Sequence, residues 1–150
     1  MESLKKPHDT LRRIGLKITP PRLRVLERLS QGQHLSAEDI YRQMYQTDRD
    51  IGMATIYRVL NQFEAAGLAL KHNFDNGPAV YELNRGGHHD HMVDVETGAI
   101  VEFESKAIEA LQHDIASQLG YVLEDHLLVL YVRRPSVSAS HSQHSNRTLP

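Results

Sequence analysis

Four side chains that can bind a metal ion stand in a row near the middle of the chain: His88, His89, Asp90 and His91. Imidazole nitrogens combined with carboxylate oxygens suit Fe²⁺, Mn²⁺, Co²⁺ or Zn²⁺. Histidine clusters also occur on solvated surfaces, at loop ends and in terminal expression tags. This cluster is internal, contains an aspartate and is followed by apolar residues. We therefore interpret it as a metal-binding segment.

The residues around the cluster predict how its side chains are arranged. Apolar and acidic residues alternate after the cluster, and a turn separates them from a second apolar run at 100–103, which is typical of two strands. Successive side chains of a strand point to opposite faces. His89 and His91 would then share one face, and His88 and Asp90 the other. The sequence predicts two separate metal sites.

The composition narrows the classes of protein. A chain of 150 residues can form one ordinary domain or two small ones. It contains no cysteine, which excludes disulfides, zinc–thiolate sites and thiol catalysis. The apolar runs are short, and no apolar stretch follows the charged N-terminus. We expect no membrane span, no secretion and a cytoplasmic location.

Charge is distributed unevenly along the chain, although the totals of 17 basic and 19 acidic residues nearly balance. Residues 1–28 contain eight Lys or Arg against three acids, whereas residues 86–132 contain only Lys106 against nine acids. The basic N-terminal segment can bind phosphate groups, and the acidic C-terminal segment can bind a cation. The charge pattern therefore indicates two functions in one chain.

Helix and turn signals organise the first half of the chain. Thr19, followed by two prolines, predicts one helix start, and Ser36 with Asp39 predicts a second through a capping box. Apolar residues at helical spacing predict a third helix over 54–66, with a polar, aromatic and cationic opposite side. Two apolar runs flanking Asn76-Gly77 predict a hairpin. Three helices closed by a hairpin form a winged helix-turn-helix.

The second half predicts a smaller α/β domain. A helix is expected over about 104–119 and a strand over 121–132. Gly86 and Gly87 favour a flexible joint. We predict an α+β fold divided into a winged-helix domain at 1–84, a hinge at 85–88, a metal-binding domain at 89–134 and a disordered tail at 135–150, where His141 and His144 are incidental.

Four motifs carry a resemblance to a known family: Gly15-Leu16-Lys17-Ile18-Thr19 with Pro21-Arg22, Ser36-Ala37-Glu38-Asp39-Ile40-Tyr41, Ala54-Thr55-Ile56-Tyr57-Arg58-Val59-Leu60 and His88-His89-Asp90-His91. On these motifs the chain resembles the ferric uptake regulator (Fur) family of bacterial metal-dependent repressors, from about 11 to 133. It looks closest to the iron-sensing proteobacterial branch. The resemblance implies a winged-helix DNA reader, and a C-terminal α/β domain whose strands pair between two protomers.

The resemblance also implies two metal sites per protomer with nitrogen and oxygen ligands. The regulatory site maps onto His34, Glu82, His89, His91 and Glu102, and the second site onto His88, Asp90, Glu109 and His126. Taken singly, the three glutamates are more often surface acids, and His126 in its apolar context could be a core histidine. His72 and His113 match no ligand position, so we interpret them as structural or surface residues.

For DNA contact, the resemblance and the helix pattern together point to one short set of residues. Thr55, Tyr57 and Arg58 stand at the start of the predicted recognition helix, where they can reach base edges and phosphates. Lys17 resembles the family position that enters an AT-rich minor groove. Arg22 is expected to meet phosphate, with solvated surface as the equally plausible alternative.

The chain departs from the family pattern at one place. Many members carry a Cys-x-x-Cys pair directly after the histidine cluster, and Asp94 and Thr97 stand there instead. The structural zinc site is therefore predicted to be absent. Dimer stability would come from strand pairing and apolar packing.

These observations predict a dimeric, cytoplasmic, non-enzymatic repressor that binds AT-rich inverted repeats in double-stranded DNA when Fe²⁺ is bound. Mn²⁺ or Zn²⁺ could fill the sites in vitro, and a manganese-, zinc- or peroxide-responsive regulator is the alternative within the family. A small metallohydrolase is the alternative from another class. Metal storage would leave the winged helix and its basic face unexplained. Whether dimers pair into tetramers stays open.

Overall fold

The computed structural model describes residues 7–74 and 77–136. The chain divides into two compact units, Met1–Gly86 and Gly87–Pro150, which we call the winged unit and the C-terminal unit. Gly86 and Gly87, at the division, both have positive φ angles, of 74° and 82°. Glycine adopts this conformation without the steric penalty that a Cβ atom brings.

Four helices form most of the winged unit: α1 (Pro7–Arg13), α2 (Pro20–Leu29), α3 (Ala37–Met44) and α4 (Met53–Ala65). The sequence predicted the last three. Helix α1 was missed because it has only seven residues and buries only Thr10 and Leu11, too few apolar positions to show a period.

The two predicted helix N-terminal caps differ in whether the side chain of the cap residue forms a hydrogen bond. Ser36 Oγ accepts a hydrogen bond from Asp39 N at 3.1 Å, and Asp39 Oδ2 accepts one from Ser36 N at 2.9 Å, so the capping box is confirmed. Thr19 occupies the cap position of α2, but its side chain makes no capping hydrogen bond. The proline that follows removes one N–H group that would otherwise need an acceptor.

A small antiparallel sheet completes the winged unit. The predicted hairpin is confirmed as β2 (Ala69–His72) and β3 (Val80–Leu83), and a two-residue strand, β1 (Leu35–Ser36), adds to the other side of β3. The strand order is β1-β3-β2. Asp75 and Asn76 of the predicted turn lie outside the described residues. Strand β1 was not predicted, because two residues carry no alternation pattern.

The core of the winged unit joins its helices to this sheet. Its buried residues come from all four helices, the three strands and the segment before α4, as Leu11, Leu29, Leu35, Ile40, Ile51, Ile56, Leu60, Phe63, Ala69 and Tyr81 illustrate. The apolar sides of α2, α3 and α4 are therefore used for packing, and their polar sides are left at the surface. This is the winged helix-turn-helix that the sequence predicted.

The C-terminal unit is a three-stranded sheet with one helix. Its strands are β4 (Asp90–Asp94), β5 (Ile100–Phe103) and β6 (Val129–Val132), and α5 (Lys106–Gln118) connects β5 to β6. Strand β4 lies in the middle, antiparallel to β5 and parallel to β6. The α+β class is thus confirmed in both units.

Two strand predictions in this unit need correction. The strand of the histidine cluster begins at Asp90, so His88 and His89 precede it. The strand predicted over 121–132 is limited to Val129–Val132. Parallel pairing with β4 runs only from His91↔Val129 to Asp94↔Val132, so the residues before Val129 have no strand partner on β4.

The apolar stripe predicted on α5 is present but is not covered within the described chain. No residue of α5 is buried, and Leu111 and Leu119 are 60% and 71% exposed. In the described part of the C-terminal unit, the buried residues are Asp90, His91 and Val93. Among the described residues, no helix has the length and apolar character needed to cross a membrane.

The capping box of α3 gives a stability prediction. Ser36→Ala removes the acceptor for Asp39 N and should lower the free energy of unfolding by about 1 kcal/mol. Chemical denaturation of both proteins measures the change. Thr19→Ala is the matched control, since Thr19 caps without a side-chain hydrogen bond and its loss should change stability much less. Equal losses for the two variants would contradict this account of the cap.

Candidate functional site

A buried carboxylate lies between two histidines in the winged unit. Glu82 Oε2 is 2.8 Å from His34 Nε2, and Glu82 Oε1 is 2.9 Å from His72 Nε2. The side chains of His34 and Glu82 are only 6% and 7% exposed. Burying a carboxylate is costly unless it is paired, and both oxygens of Glu82 have an imidazole partner.

The strand order explains this arrangement. Glu82 lies on the central strand β3, and the β1–β3 register of Leu35↔Tyr81, extended by one residue, places His34 opposite Glu82. On the other side Leu70 faces Glu82, and His72 is the diagonal neighbour two residues along. Side chains two residues apart on a strand share a face. The sheet therefore brings two histidines to the Glu82 carboxylate: His34, just before β1, and His72, on β2.

His72 is the residue that the sequence analysis missed. It was interpreted as structural or surface, but it contacts a predicted ligand and stacks on Phe74, with ring centroids 5.0 Å apart. The predicted hairpin contained the information needed to find this contact. When β2 is aligned with β3, Leu70 faces Glu82 and His72 follows two residues later on the same face. The pairing register, which the sequence pattern left open, was needed to use it.

One face of the C-terminal sheet carries a second cluster. His91 on β4 pairs directly with Glu102 on β5. His89 Nε2 is 3.6 Å from Glu102 Oε1, and the rings of His89 and His91 are 4.9 Å apart. His91 is buried, at 2% exposure. Each of these three side chains offers a ligand atom within 4.8 Å of the others.

The third cluster lies on the opposite face of the sheet. Asp90 Oδ1 is 3.2 Å from both His88 Nε2 and His126 Nε2, and the two imidazole nitrogens are 2.8 Å apart. Asp90 is 1% exposed, and its Oδ2 is buried without a hydrogen-bond partner among the described groups. Such an atom needs a compensating partner. Ligands held about 2.1 Å from one ion stand about 3.0 Å apart when their bonds meet at right angles, so the distances fit a shared ion.

Glu109, the fourth residue predicted for this site, is near but not in contact. It lines a pocket of about 250 Å³ together with His88 and His126, on the side formed by α5. It does not belong to the group of converging ligand atoms. Helix α5 thus places Glu109 at the pocket beside the cluster.

The predicted division of the histidine run into two faces is confirmed. His89 groups with His91, and His88 groups with Asp90. Two-residue alternation holds even though the strand begins only at Asp90. The donor sets consist of imidazole nitrogen and carboxylate oxygen, which fit Fe²⁺, Mn²⁺ or Zn²⁺. Their roles as ligands stay predictions.

The residues predicted to contact DNA lie on the surface of the winged unit. Tyr57 and Arg58 are exposed near the start of α4, Thr55 is partly exposed two residues before Tyr57, and Lys17 is exposed before α2. Arg22 is different, because its guanidinium donates to Gln62 Oε1 and to the carbonyl of Lys17. Its predicted phosphate contact stays a prediction.

Tyr57 is held by an acidic neighbour. Its hydroxyl donates to Glu38 Oε1 at 2.7 Å, which links α4 to α3. This hydrogen bond stabilises the carboxylate and lowers the pKa of Glu38, and it raises the pKa of Tyr57. The orientation of the aromatic ring on the recognition helix is thereby restricted.

Asp94 and Thr97, which stand at the positions expected for a Cys-x-x-Cys pair, take part in a turn. Asp94 Oδ1 accepts hydrogen bonds from Glu96 N at 2.9 Å and Thr97 N at 3.3 Å, at the turn from β4 to β5. These backbone donors lower the pKa of Asp94. An aspartate that accepts backbone N–H groups two and three residues ahead stabilises a turn. The side chain of Asp94 thus holds the turn between β4 and β5.

The winged unit and the histidine–carboxylate clusters of the α/β unit together define the class: a two-unit winged-helix protein with candidate metal sites. The model of the ferric uptake regulator family matches residues 13–131. The chain belongs to this family, as its motifs predicted.

Individual relatives agree. A ferric uptake regulation protein of Pseudomonas fluorescens is 55% identical over 120 residues, covering 79% of this chain and 98% of that protein. A manganese-containing structure of the ferric uptake regulator from Pseudomonas aeruginosa is 48% identical, with a TM-score of 0.70, and covers 88% of this chain and all of that one. A structure of the Francisella tularensis regulator with iron is 41% identical, with a TM-score of 0.75, and covers 80% of this chain and 92% of that one.

The Tyr57–Glu38 hydrogen bond gives a pH prediction. Tyr57→Phe removes the donor, so the pKa of Glu38 should rise toward its ordinary value of 4.5. A carboxylate with a lowered pKa contributes stability above its unfolded-state pKa, and that contribution is lost as pH falls through the folded-state pKa. In Tyr57→Phe, the contribution to stability that is lost on acidification should therefore be smaller than in the wild-type protein. NMR titration of the Glu38 side chain measures the change.

Tyr45→Phe is the control for that titration. Tyr45 is an exposed tyrosine whose ring contacts Tyr41 and Arg49, and it does not contribute to the lowered pKa of Glu38. The pKa of Glu38 should be unchanged in this variant. If Tyr57→Phe also leaves it unchanged, the hydrogen bond does not set the pKa.

Proposed function

We propose that this protein is a metal-dependent transcriptional repressor that binds AT-rich inverted repeats in double-stranded DNA when Fe²⁺ is bound, and so controls iron uptake genes. Membership of the ferric uptake regulator family supports the class. The observation that carries the metal dependence is the presence of histidine–carboxylate clusters in both units, including the buried Glu82 of the DNA-binding unit.

The regulatory site in this proposal takes ligands from both units. His34 and Glu82 would come from the winged unit, and His89, His91 and Glu102 from the C-terminal unit. A bound ion would supply a positive charge that all five ligands share. The glycine pair at the division would otherwise leave the orientation of the two DNA-binding heads of a dimer variable. Fixing it before binding lowers the ordering cost of DNA recognition.

The second site would lie wholly within the C-terminal unit. His88, Asp90 and His126 already converge, and Glu109 would be the fourth ligand. An ion here would compensate the buried Asp90 carboxylate and tie the segment before β6 to β4. We assign this site a structural role, because none of its four residues belongs to the DNA-binding unit.

Iron is the proposed signal on chemical grounds and by similarity. Sites with five or six nitrogen and oxygen ligands suit Fe²⁺ and Mn²⁺, whereas Zn²⁺ binds most nitrogen sites tightly by the general affinity order. The iron-containing relative supports Fe²⁺, and the manganese-containing one shows why the ions must be compared directly.

DNA would be contacted by the exposed side of the winged unit. Thr55, Tyr57 and Arg58 on α4 would enter the major groove, and Lys17 the adjacent minor groove. Phosphate contacts would supply most of the affinity, so binding should weaken steeply with salt.

A second copy of this chain would cover the apolar surface of the C-terminal unit. The exposed residues of that surface are Val101, Leu111, Ile115, Leu119, Tyr121, Val122, Leu127 and Tyr131. A soluble protein rarely leaves so many large apolar side chains in one small unit open to water. A two-fold dimer buries the same surface on both copies and also suits an inverted-repeat operator.

Operator binding titrated with metal tests the proposed function. We expect fluorescence anisotropy with an AT-rich inverted-repeat duplex, at fixed salt and without oxygen, to show tight binding with Fe²⁺ and little with chelator. His89→Ala should abolish the metal-dependent part. His113→Ala is the control, since His113 is exposed and belongs to neither group of converging ligands.

The outcomes of that titration separate metal sensing from DNA contact. Arg58→Ala should weaken binding at every metal concentration, because it acts at the DNA surface. Normal metal dependence in His89→Ala would overturn the regulatory-site assignment. Wild-type binding that ignores metal would overturn the repressor mechanism, and a stronger response to Mn²⁺ or Zn²⁺ would replace iron as the signal.

The dimer proposal predicts a specific sensitivity on α5. Ile115→Glu places a charge within the exposed apolar stripe and should convert the dimer to monomer in sedimentation velocity. Ser117→Glu places the same charge on the opposite side of α5 and should leave the dimer intact. If the Ile115 variant is as dimeric as wild type, this surface is not the interface.

A further inference from the structure

We propose that Arg22 is a positioning residue that fastens the backbone of Lys17 to the recognition helix α4, and so couples minor-groove contact to major-groove contact. This inference rests on the proposed function, because it concerns how the winged unit contacts DNA. It replaces the expectation that Arg22 is mainly a phosphate contact.

The contacts of Arg22 occupy both sides of its guanidinium. Nε and Nη2 donate to one oxygen, Gln62 Oε1, at 3.1 and 3.0 Å. Nη1 donates to the carbonyl oxygen of Lys17 at 2.6 Å. Gln62 and Lys17 are thereby joined through one planar group, although they are far apart in the sequence. Arginine can do this because its donors are fixed in a rigid fork, which lysine lacks.

These contacts leave little of the guanidinium for a strong phosphate contact. Arginine has five N–H donors, and three of them are directed at protein acceptors. The edge formed by Nε and Nη2 could receive a phosphate in a bidentate pair, and Gln62 occupies it. A bidentate contact through this edge would require Arg22 to leave Gln62.

The two residues that Arg22 joins belong to different parts of the proposed DNA surface. Gln62 lies four residues after Arg58 on α4, so the two side chains share a helix face. Lys17 is exposed in the segment that precedes α2. With its carbonyl held, this segment has a defined position relative to the helix. Lys17 would then meet the minor groove at a fixed distance from the bases contacted by α4.

The test separates positioning from charge. Two duplexes are compared, one with the operator that the wild-type protein selects from a randomised pool and one with its flanking A·T tract changed to G·C. The measured quantity is the ratio of the two affinities, in the metal-bound form. Arg22→Lys keeps the charge and loses the fork, and Gln62→Leu removes the acceptor without changing charge. We expect each to reduce the wild-type preference on the order of tenfold.

The double variant and a conservative variant make the result specific. Arg22→Lys with Gln62→Leu should lose no more preference than either single variant, because both break the same link. Gln62→Glu keeps an acceptor for Arg22 and should retain the preference, even if its added negative charge weakens binding to both duplexes. Thermal unfolding of each variant identifies any that fail to fold. If one of the two single variants does not fold, the other is compared with Gln62→Glu.

A phosphate role for Arg22 predicts a different pattern. Arg22→Lys would then leave the preference intact, Gln62→Leu would have no effect, and Arg22→Gln would reduce the slope of log affinity against log salt by about one. That pattern overturns this inference while the proposed function stands. A wild-type protein that binds neither duplex, with or without metal, overturns the proposed function and this inference together.

Discussion

The alternation of side chains along β4 is the constraint on which the chemistry of the C-terminal unit depends. A strand in the middle of a sheet is held by hydrogen bonds on both edges, so its side chains have only the two faces available. His91 and Asp90 are consequently committed to opposite faces, and the partners that gather around them differ. On one face the antiparallel neighbour supplies Glu102, and on the other the segment before β6 supplies His126.

The winged unit uses its sheet in a related way, but around a single buried carboxylate. Glu82 is on the central strand, so imidazoles can approach it from both neighbouring strand regions. Without such partners the buried charge would be strongly destabilising. The imidazoles that make the burial of Glu82 tolerable are themselves groups that can bind a metal ion, so the folded unit can hold this carboxylate in place without one.

The two units differ in how far they bury their apolar residues. The winged unit has a core built from all of its helices and strands, whereas Val93 is the one apolar residue that is buried in the described part of the C-terminal unit. Hydrophobic stabilisation is proportional to the area removed from water. The winged unit therefore has its own apolar core, whereas the C-terminal unit would gain most from covering its exposed apolar residues. Asp94 stabilises a turn in this same unit by accepting hydrogen bonds from the backbone N–H groups of Glu96 and Thr97.

The sequence by itself determined the features that follow from local chemistry. Helical periodicity gave α2 to α4, the Ser36–Asp39 pair gave the start of α3, and two-residue alternation separated the histidine run into two faces, because each depends on neighbours within a few positions. Only the tertiary structure decided which distant groups meet. Strand register brought His72 to Glu82, packing brought Arg22 to Gln62, and pairing with β4 limited β6 to Val129–Val132. These pairings depend on how elements align in space, and that alignment is set by the sum of many weak contacts that no short sequence pattern encodes.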